Sequence, residues 1–128
     1  MKTKHPVILL VDDDPIFRVT ANFFLKKAFE AVEIVACNNG KEGLEELGKQ
    51  VITLILLDLN MPVMNGWEFL EELPAEYHHI PIYIISSSDD YSDLSRALKF
   101  DYTKAFIGKP LTFENIVELS ELRELMIL

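Results

Sequence analysis

The sequence predicts an α/β domain of (βα)5 type, with a parallel sheet covered on both faces by helices. Three observations predict it. Short apolar runs recur at 7–11, 51–57 and 80–85, and they are continuous rather than alternating, as in strands buried on both faces. Stretches with helical spacing of apolar residues separate them, and alternation of strand and helix implies right-handed crossovers and parallel pairing. Each run also stops abruptly at a polar residue: Asp12 and Asp13, Asp58, and Ser86. In a parallel sheet such ends collect on one edge, where ligands and chemistry gather.

The elements follow in order. Val7 to Val11 (VILLV) is the first strand, and Asp14-Pro15 opens a helix with Asp at the N-cap and Pro in the first turn. Phe17, Ala21, Phe24, Leu25 and Ala28 mark its apolar face, with Arg18, Asn22 and Lys26 off it. Val32 to Ala36 carries Glu33 and suits an edge strand. Asn38, Asn39 and Gly40 form a turn into a short helix through Leu44 and Leu47 that stops at Gly48. The third strand is the run from Val51 to Leu57, broken only by Thr53, with Asp58 at its end. Asn60, Met61, Pro62 and the Asn65-Gly66 pair then signal a loop. A helix with Trp67, Phe69, Leu70 and Leu73 ends before Pro74. Ile80 to Ile85 is the fourth strand, closing on Ser86, Ser87 and Ser88. Asp89 to Phe100 supplies a helix with Leu94, Ala97 and Leu98. Lys104 to Ile107 is the fifth strand, leading to Gly108, Lys109 and Pro110, and Thr112 caps a last helix running toward Met126.

Composition narrows the function classes. A chain of 128 residues, 49% of them apolar, is sized for one ordered domain with a real core. Its net charge of −9 repels phosphate backbones and anionic lipid, which argues against nucleic-acid or membrane partners. Cys37 is the one cysteine, so no internal disulfide exists, and the plain reading is a small buried hydrophobe in a reducing, cytoplasmic setting. No secretory signal, membrane span, repeat or linker is evident.

The strand ends would bring three carboxylates, a hydroxyl and an ammonium into one crevice: Asp12, Asp13, Asp58, Ser86 and Lys109. Carboxylates so crowded need counter-charge. Lys109 supplies part of it, and a hard divalent cation such as Mg2+, which takes carboxylates together with phosphate oxygens, supplies the rest. A carboxylate nucleophile, a metal site, a lysine and a hydroxyl make up a kit for phosphoryl transfer.

In the pieces VILLVDDDP, LLDLNMPVMNG, IPIYIISS and FIGKP, in that order and spacing, the sequence resembles the receiver domain of two-component response regulators. The resemblance runs over essentially the whole chain. It implies a doubly wound, flavodoxin-like (CheY-like) sheet of order 2-1-3-4-5, and a single receiver over residues 1–128 with no output domain. It implies that Asp58 is the phosphoacceptor and that Mg2+ is held by Asp13, Asp58 and the backbone carbonyl of Asn60, with Asp12 acting indirectly. Lys109 then binds phosphate, next to a cis peptide to Pro110, and Ser86 and Phe106 take the places of the switch hydroxyl and switch aromatic. Ser87 is the alternative hydroxyl. Phe106 lacks a phenolic hydroxyl, so switching through it must come from packing. The implied partners are a sensor histidine kinase or histidine phosphotransfer protein upstream and an unidentified protein downstream, reached through the fourth helix, fifth strand and last helix.

Two rivals stand beside this reading. One is a pseudo-receiver that binds partners without phosphate, although no member of the acceptor set is missing. The other is a small haloacid-dehalogenase-like phosphatase with Asp12 as nucleophile and Asp14 as acid, although Ile16 stands where such a motif wants Thr or Val. Plainer roles suit the remaining polar residues. Asp14 is an N-cap, Trp67 packs near a helix start, His78 and His79 lie in a solvated loop, His5 carries no signal, and Glu42, Glu45 and Glu46 form a solvated helix face. In the last helix, Phe113, Ile116 and Val117 make one apolar arc, and Leu119, Leu122 and Met126 make a second, which is either a surface for a partner or a dimer or ordinary spare exposure.

Overall fold

The computed structural model describes residues 5–29, 31–87, 91–109 and 111–118. Five parallel strands, β1 (Val7–Val11), β2 (Glu33–Cys37), β3 (Leu54–Asp58), β4 (Ile82–Ser86) and β5 (Thr103–Gly108), form one sheet in the order β2-β1-β3-β4-β5. The helices between and after them are α1 (Pro15–Ala28), α2 (Gly40–Leu47), α3 (Gly66–Glu72), α4 (Tyr91–Ala97) and α5 (Phe113–Glu118). This is the expected doubly wound sheet. β3 and β4 are buried at every residue, and β2 lies at an edge with a mixed burial pattern, as its Glu33 suggested.

Alternation along each strand divides the core in two. Ile8, Leu10, Leu54, Leu56, Tyr83 and Ile85 face the layer holding Phe17, Ala21 and Leu25 of α1 and Ile116 of α5. Leu9, Val11, Ile55, Leu57, Ile82 and Ile84 face the layer holding Leu47, Phe69, Leu70 and Ala97, from α2, α3 and α4. The face predicted for α1 is the one it buries. Its opposite face also exposes Ile16, Val19 and Phe23, which the amphipathic pattern did not mark.

Local chemistry sets the helix starts. The Asp14 carboxylate accepts the Ile16 N–H at 3.0 Å. Asn65 and Glu68 make a reciprocal capping box, each backbone N–H donating to the other's side chain at 2.9 Å. Thr112 accepts the Asn115 N–H at 3.2 Å, as a cap should.

Several predicted boundaries shift. The third strand begins at Leu54, not Val51. Val51 is 86% exposed, and Thr53 is held by the start of β1, its N–H donating to the Val7 carbonyl at 2.8 Å and its hydroxyl accepting the Val7 N–H at 3.0 Å. An apolar run continues past the point where its neighbouring strand supplies a ladder, and β1 pairs with β3 only from Ile8 opposite Leu54. The second strand runs one residue later than expected, through Cys37, and the fourth starts at Ile82 because Ile80 and Pro81 lead in from the loop. The fourth helix ends at Ala97, leaving Leu98 64% exposed rather than in the core. A short 3-10 turn, Ala75–Tyr77, follows Pro74 and was not foreseen. Ser88, Pro110 and its peptide bond, and the second apolar arc of Leu119, Leu122 and Met126 lie outside the described residues.

Candidate functional site

The carboxyl edge of the sheet gathers the predicted residues. β1 delivers Asp12, which is 1% exposed and anchored by its N–H donating to the Cys37 carbonyl at 3.0 Å. One Asp12 oxygen, Oδ1, accepts the Asp14 N–H at 2.8 Å. The other, Oδ2, is buried and lies 2.9 Å from the Lys109 ammonium, its one polar contact among the described residues. β3 delivers Asp58, 5% exposed, with its Oδ1 3.7 Å from the same ammonium. Asp13 is exposed beside them, and oxygens of Asp12, Asp13 and Asp58 all lie within 4.8 Å of one another.

The electrostatics follow from that crowding. Burial, and then the neighbouring Asp12 charge, push the Asp58 carboxyl up to about 6, against the pull of Lys109 and of the Leu59 backbone hydrogen bond. Burial alone would lower the Lys109 ammonium, but its contact with Asp12 and the charges of Asp58, Asp12 and Asp14 outweigh that, and it is shifted upward. The Cys37 thiol is pushed up to about 12 by burial and by Glu46 and Glu42, which fits an inert buried side chain.

β4 ends at Ser86, which is fully buried, while Ser87 is exposed. Ile85 is paired with Asp58 and Ser86 with Gly108, so Ser86 sits one step beyond the acceptor's register position. By strand alternation Ser86 shares the sheet face of Ile84, and Phe106, paired with Ile84 and half-buried, packs on that same side. The Lys109 N–H donates to the Ser86 carbonyl at 2.9 Å, which ties the end of β5 to the end of β4. Exposed Asn60 stands two residues past Asp58.

The loop after Asp58 is tightly held. Gly66 donates its N–H to the Leu59 carbonyl at 2.9 Å, and a Cβ there would collide with the Asp58 carbonyl oxygen. The Met64 carbonyl accepts the Gly40 N–H at 2.8 Å, joining the loop to the start of α2. Between these points Val63 has φ 67°, and the Met64 N–H donates to the Pro62 carbonyl at 2.7 Å, a γ-turn unusual for a β-branched residue.

The donor set suits Mg2+. Its atoms are hard carboxylate oxygens, three carboxylates gather beside one ammonium, and among the described residues the buried Asp12 Oδ2 has only that ammonium against it. Asp14 takes no part in the cluster and serves as the helix cap.

Two neighbours of the cluster escaped the sequence reading. Arg18 donates from Nη1 to the Asp12 carbonyl at 2.7 Å, and the Phe17 ring lies beneath the Lys109 ammonium, 4.6 Å from centroid to nitrogen. Helical periodicity placed Arg18 off the apolar face and Phe17 on it, and nothing in that pattern relates either residue to the sheet edge.

Comparison with known proteins agrees with this geometry. A family profile described as the response regulator receiver domain matches residues 8–121. The nitrate/nitrite response regulator protein NarL of Escherichia coli K12 is 36% identical over 100 residues, 77% of this chain and 46% of that protein. The probable C4-dicarboxylate response regulator DctR of Halalkalibacterium halodurans is 27% identical over 115 residues, 88% of this chain and 50% of that protein. The chain thus spans about half the length of the curated relatives it matches. Among solved structures, a two component response regulator from Cytophaga hutchinsonii aligns with TM-score 0.81 at 25% identity, covering 98% of both chains. A CheY-like receiver domain protein from Methanospirillum hungatei shares the fold with TM-score 0.82 at 23% identity, covering 95% of this chain and 97% of that one. With nearly its whole length matched and its acidic cluster at the strand ends, the chain belongs to the response regulator receiver domain family.

Proposed function

We propose that this chain is a phosphoryl-accepting switch of a two-component phosphorelay, in which Asp58 takes the phosphoryl group from a phosphohistidine on a sensor histidine kinase or histidine phosphotransfer protein. The observation that carries the reading is the setting of Asp58: a buried carboxylate at the end of β3, flanked by two carboxylates and facing Lys109. With its carboxyl pushed up only to about 6, Asp58 is ionised at neutral pH and available as a nucleophile. Its oxygen forms the new P–O bond as the donor's P–N bond breaks, leaving an acyl phosphate on Asp58, and the released ring nitrogen takes up a proton to give a neutral imidazole. Water later hydrolyses the acyl phosphate at the same site. The chain catalyses only its own phosphorylation and dephosphorylation.

Asp13, Asp58 and the Asn60 carbonyl would hold Mg2+, with Asp12 contributing indirectly. When bound, the ion supplies positive charge for the transferring oxygens. Lys109 gives a second positive contact to the phosphoryl group, and Ser86 a hydrogen bond from its hydroxyl. Movement of Ser86 toward the phosphoryl group frees space beside β4 on the face that Phe106 shares. Burying the Phe106 ring there favours the inward state. The switched domain then presents an altered surface of α4, β5 and α5 to a downstream protein. The setting is the cytoplasm, and no described helix is long and apolar enough to cross a membrane.

The test is phosphopeptide mapping of wild type, Asp58→Asn and Asp12→Asn after incubation with acetyl phosphate and Mg2+. Label on Asp58, lost in Asp58→Asn with the fold retained, is the expected result. Label on Asp12 would favour the phosphatase rival, and a chain that takes no label but still binds its partner would favour the pseudo-receiver. A second measurement addresses output. Hydrogen exchange with and without beryllofluoride should change in α4, β5 and α5, and Ser86→Ala should still accept phosphate while losing that change. Changes confined to the loops around Asp58 would send output through another face.

A further inference from the structure

We infer that Phe17 is a positioning residue for phosphoryl transfer, its ring face seating the Lys109 ammonium in front of Asp58. The inference rests on the reading of Asp58 as acceptor and Lys109 as the cation that meets the phosphoryl group. Lysine carries its charge on a flexible four-carbon stem, so a lysine that must meet a developing charge needs walls around its head. Lys109 has three. Asp12 Oδ2 lies at 2.9 Å, Asp58 Oδ1 at 3.7 Å, and the Phe17 ring centroid at 4.6 Å, within the range where a cation is drawn to the negative face of an aromatic ring. Only 18% of the lysine side chain is exposed, so solvent screens these contacts weakly.

The ring is itself firmly held. Phe17 is 6% exposed in the core layer with Leu111 and Ile116. It sits in the first turn of α1, where the Asp14 cap and the hydrogen bond from Arg18 to the Asp12 carbonyl fix the helix to the residue that bears the nearest carboxylate. Ring and carboxylate therefore form one rigid seat.

The two contacts differ in kind. Before transfer the ammonium lies closer to Asp12 than to Asp58, and it must turn to the phosphoryl oxygens when they arrive. A hydrogen-bonding third wall would compete with that turn. An aromatic face attracts the charge without a directional bond, so the ammonium can move between acceptors while keeping its third contact. An aliphatic side chain of similar bulk would fill the core but offer no such attraction.

The test compares three proteins: wild type, Phe17→Leu, and wild-type sequence carrying a polyfluorinated phenylalanine at position 17, which keeps the ring's shape and removes its negative face. The readouts are the rate of Asp58 labelling by acetyl phosphate at saturating Mg2+, the melting temperature, and the NMR shifts of the Lys109 ε-methylene protons. Labelling should fall about three- to tenfold in both variants, the span of attraction expected for a partly desolvated cation and ring. The fluorinated protein should melt as wild type does, and Phe17→Leu should lose the ring-current shift of the Lys109 protons. Labelling at the wild-type rate in both variants overturns the inference. So does a loss in Phe17→Leu that the fluorinated ring does not share, which would make Phe17 a packing residue. If wild type takes no label at Asp58, the underlying reading fails. In that case the NMR comparison alone decides whether the ring seats the ammonium, and Lys109 protons unchanged by Phe17→Leu overturn it.

Discussion

At the carboxyl edge of the sheet Asp12, Asp58 and Ser86 are 1%, 5% and 0% exposed, while at the amino edge Val51 stands 86% exposed. The first edge buries polar groups and the second exposes an apolar one, each against the usual tendency. The amino edge does so without consequence. There Val7 and Thr53 pair through two hydrogen bonds, and the open cleft beside them, about 430 Å³ in volume, is lined by apolar residues such as Leu47, Val51 and Ile52 and polar ones such as Lys49, Gln50 and Glu76. The carboxyl edge holds like charges together at a cost, visible in the raised Asp58 carboxyl, which burial and the Asp12 charge push up against the pull of Lys109. Inverted burial alone therefore does not mark a site. Burial maintained against electrostatic cost does.

The sharpest way to break this comparison is to remove that cost. In magnesium-free buffer at neutral pH, Asp58→Asn should stabilise the chain by roughly 1–3 kcal/mol, measured by urea unfolding, since the amide keeps the shape and drops the charge. The pH dependence follows from the same shift. The folded carboxyl titrates at about 6, above its ordinary value of 3.8, so its contribution to stability is full below 3.8 and is lost as pH rises through 6. Lowering the pH from neutral to about 5 should accordingly stabilise magnesium-free wild type by about 1 kcal/mol more than it stabilises Asp58→Asn. Equal responses would show that Asp58 bears no such cost.

The metal comparison comes next. Asp13→Asn should weaken Mg2+ binding by at least about tenfold, as loss of a ligand does, whereas Asp14→Asn should change it little because that carboxylate is spent on capping α1. Trp67 fluorescence titrations can follow both, and equal losses would refute the proposed ligand set. The smallest effect belongs to the other edge. Val51→Thr should alter stability by no more than about 0.5 kcal/mol and leave labelling of Asp58 unchanged, since an exposed side chain is exchanged for one of similar shape. A clear loss of either would mean that the amino edge is less passive than its packing implies.

The sequence by itself determined the alternation of strands and helices, the apolar faces that each presents, and the polar residues at the strand ends. These are local patterns, readable from periodicity and from where an apolar run stops, and they sufficed to single out Asp12, Asp13, Asp58, Ser86 and Lys109. The caps at Asp14 and Thr112 were legible for the same reason, since a cap acts on backbone within a few residues of itself. Only the tertiary structure decided where β3 begins, because the ladder starts where β1 can pair with it and an apolar run carries no mark of its neighbour's start. It also decided between Ser86, which the end of the apolar run favoured, and the alternative Ser87, burying the first and exposing the second. The left-handed Val63, the Arg18 hold on the Asp12 carbonyl and the Phe17 ring beneath Lys109 depend on segments brought together by packing. Periodicity records which side of an element is buried, and the contacts made there depend on which elements the crossovers set side by side.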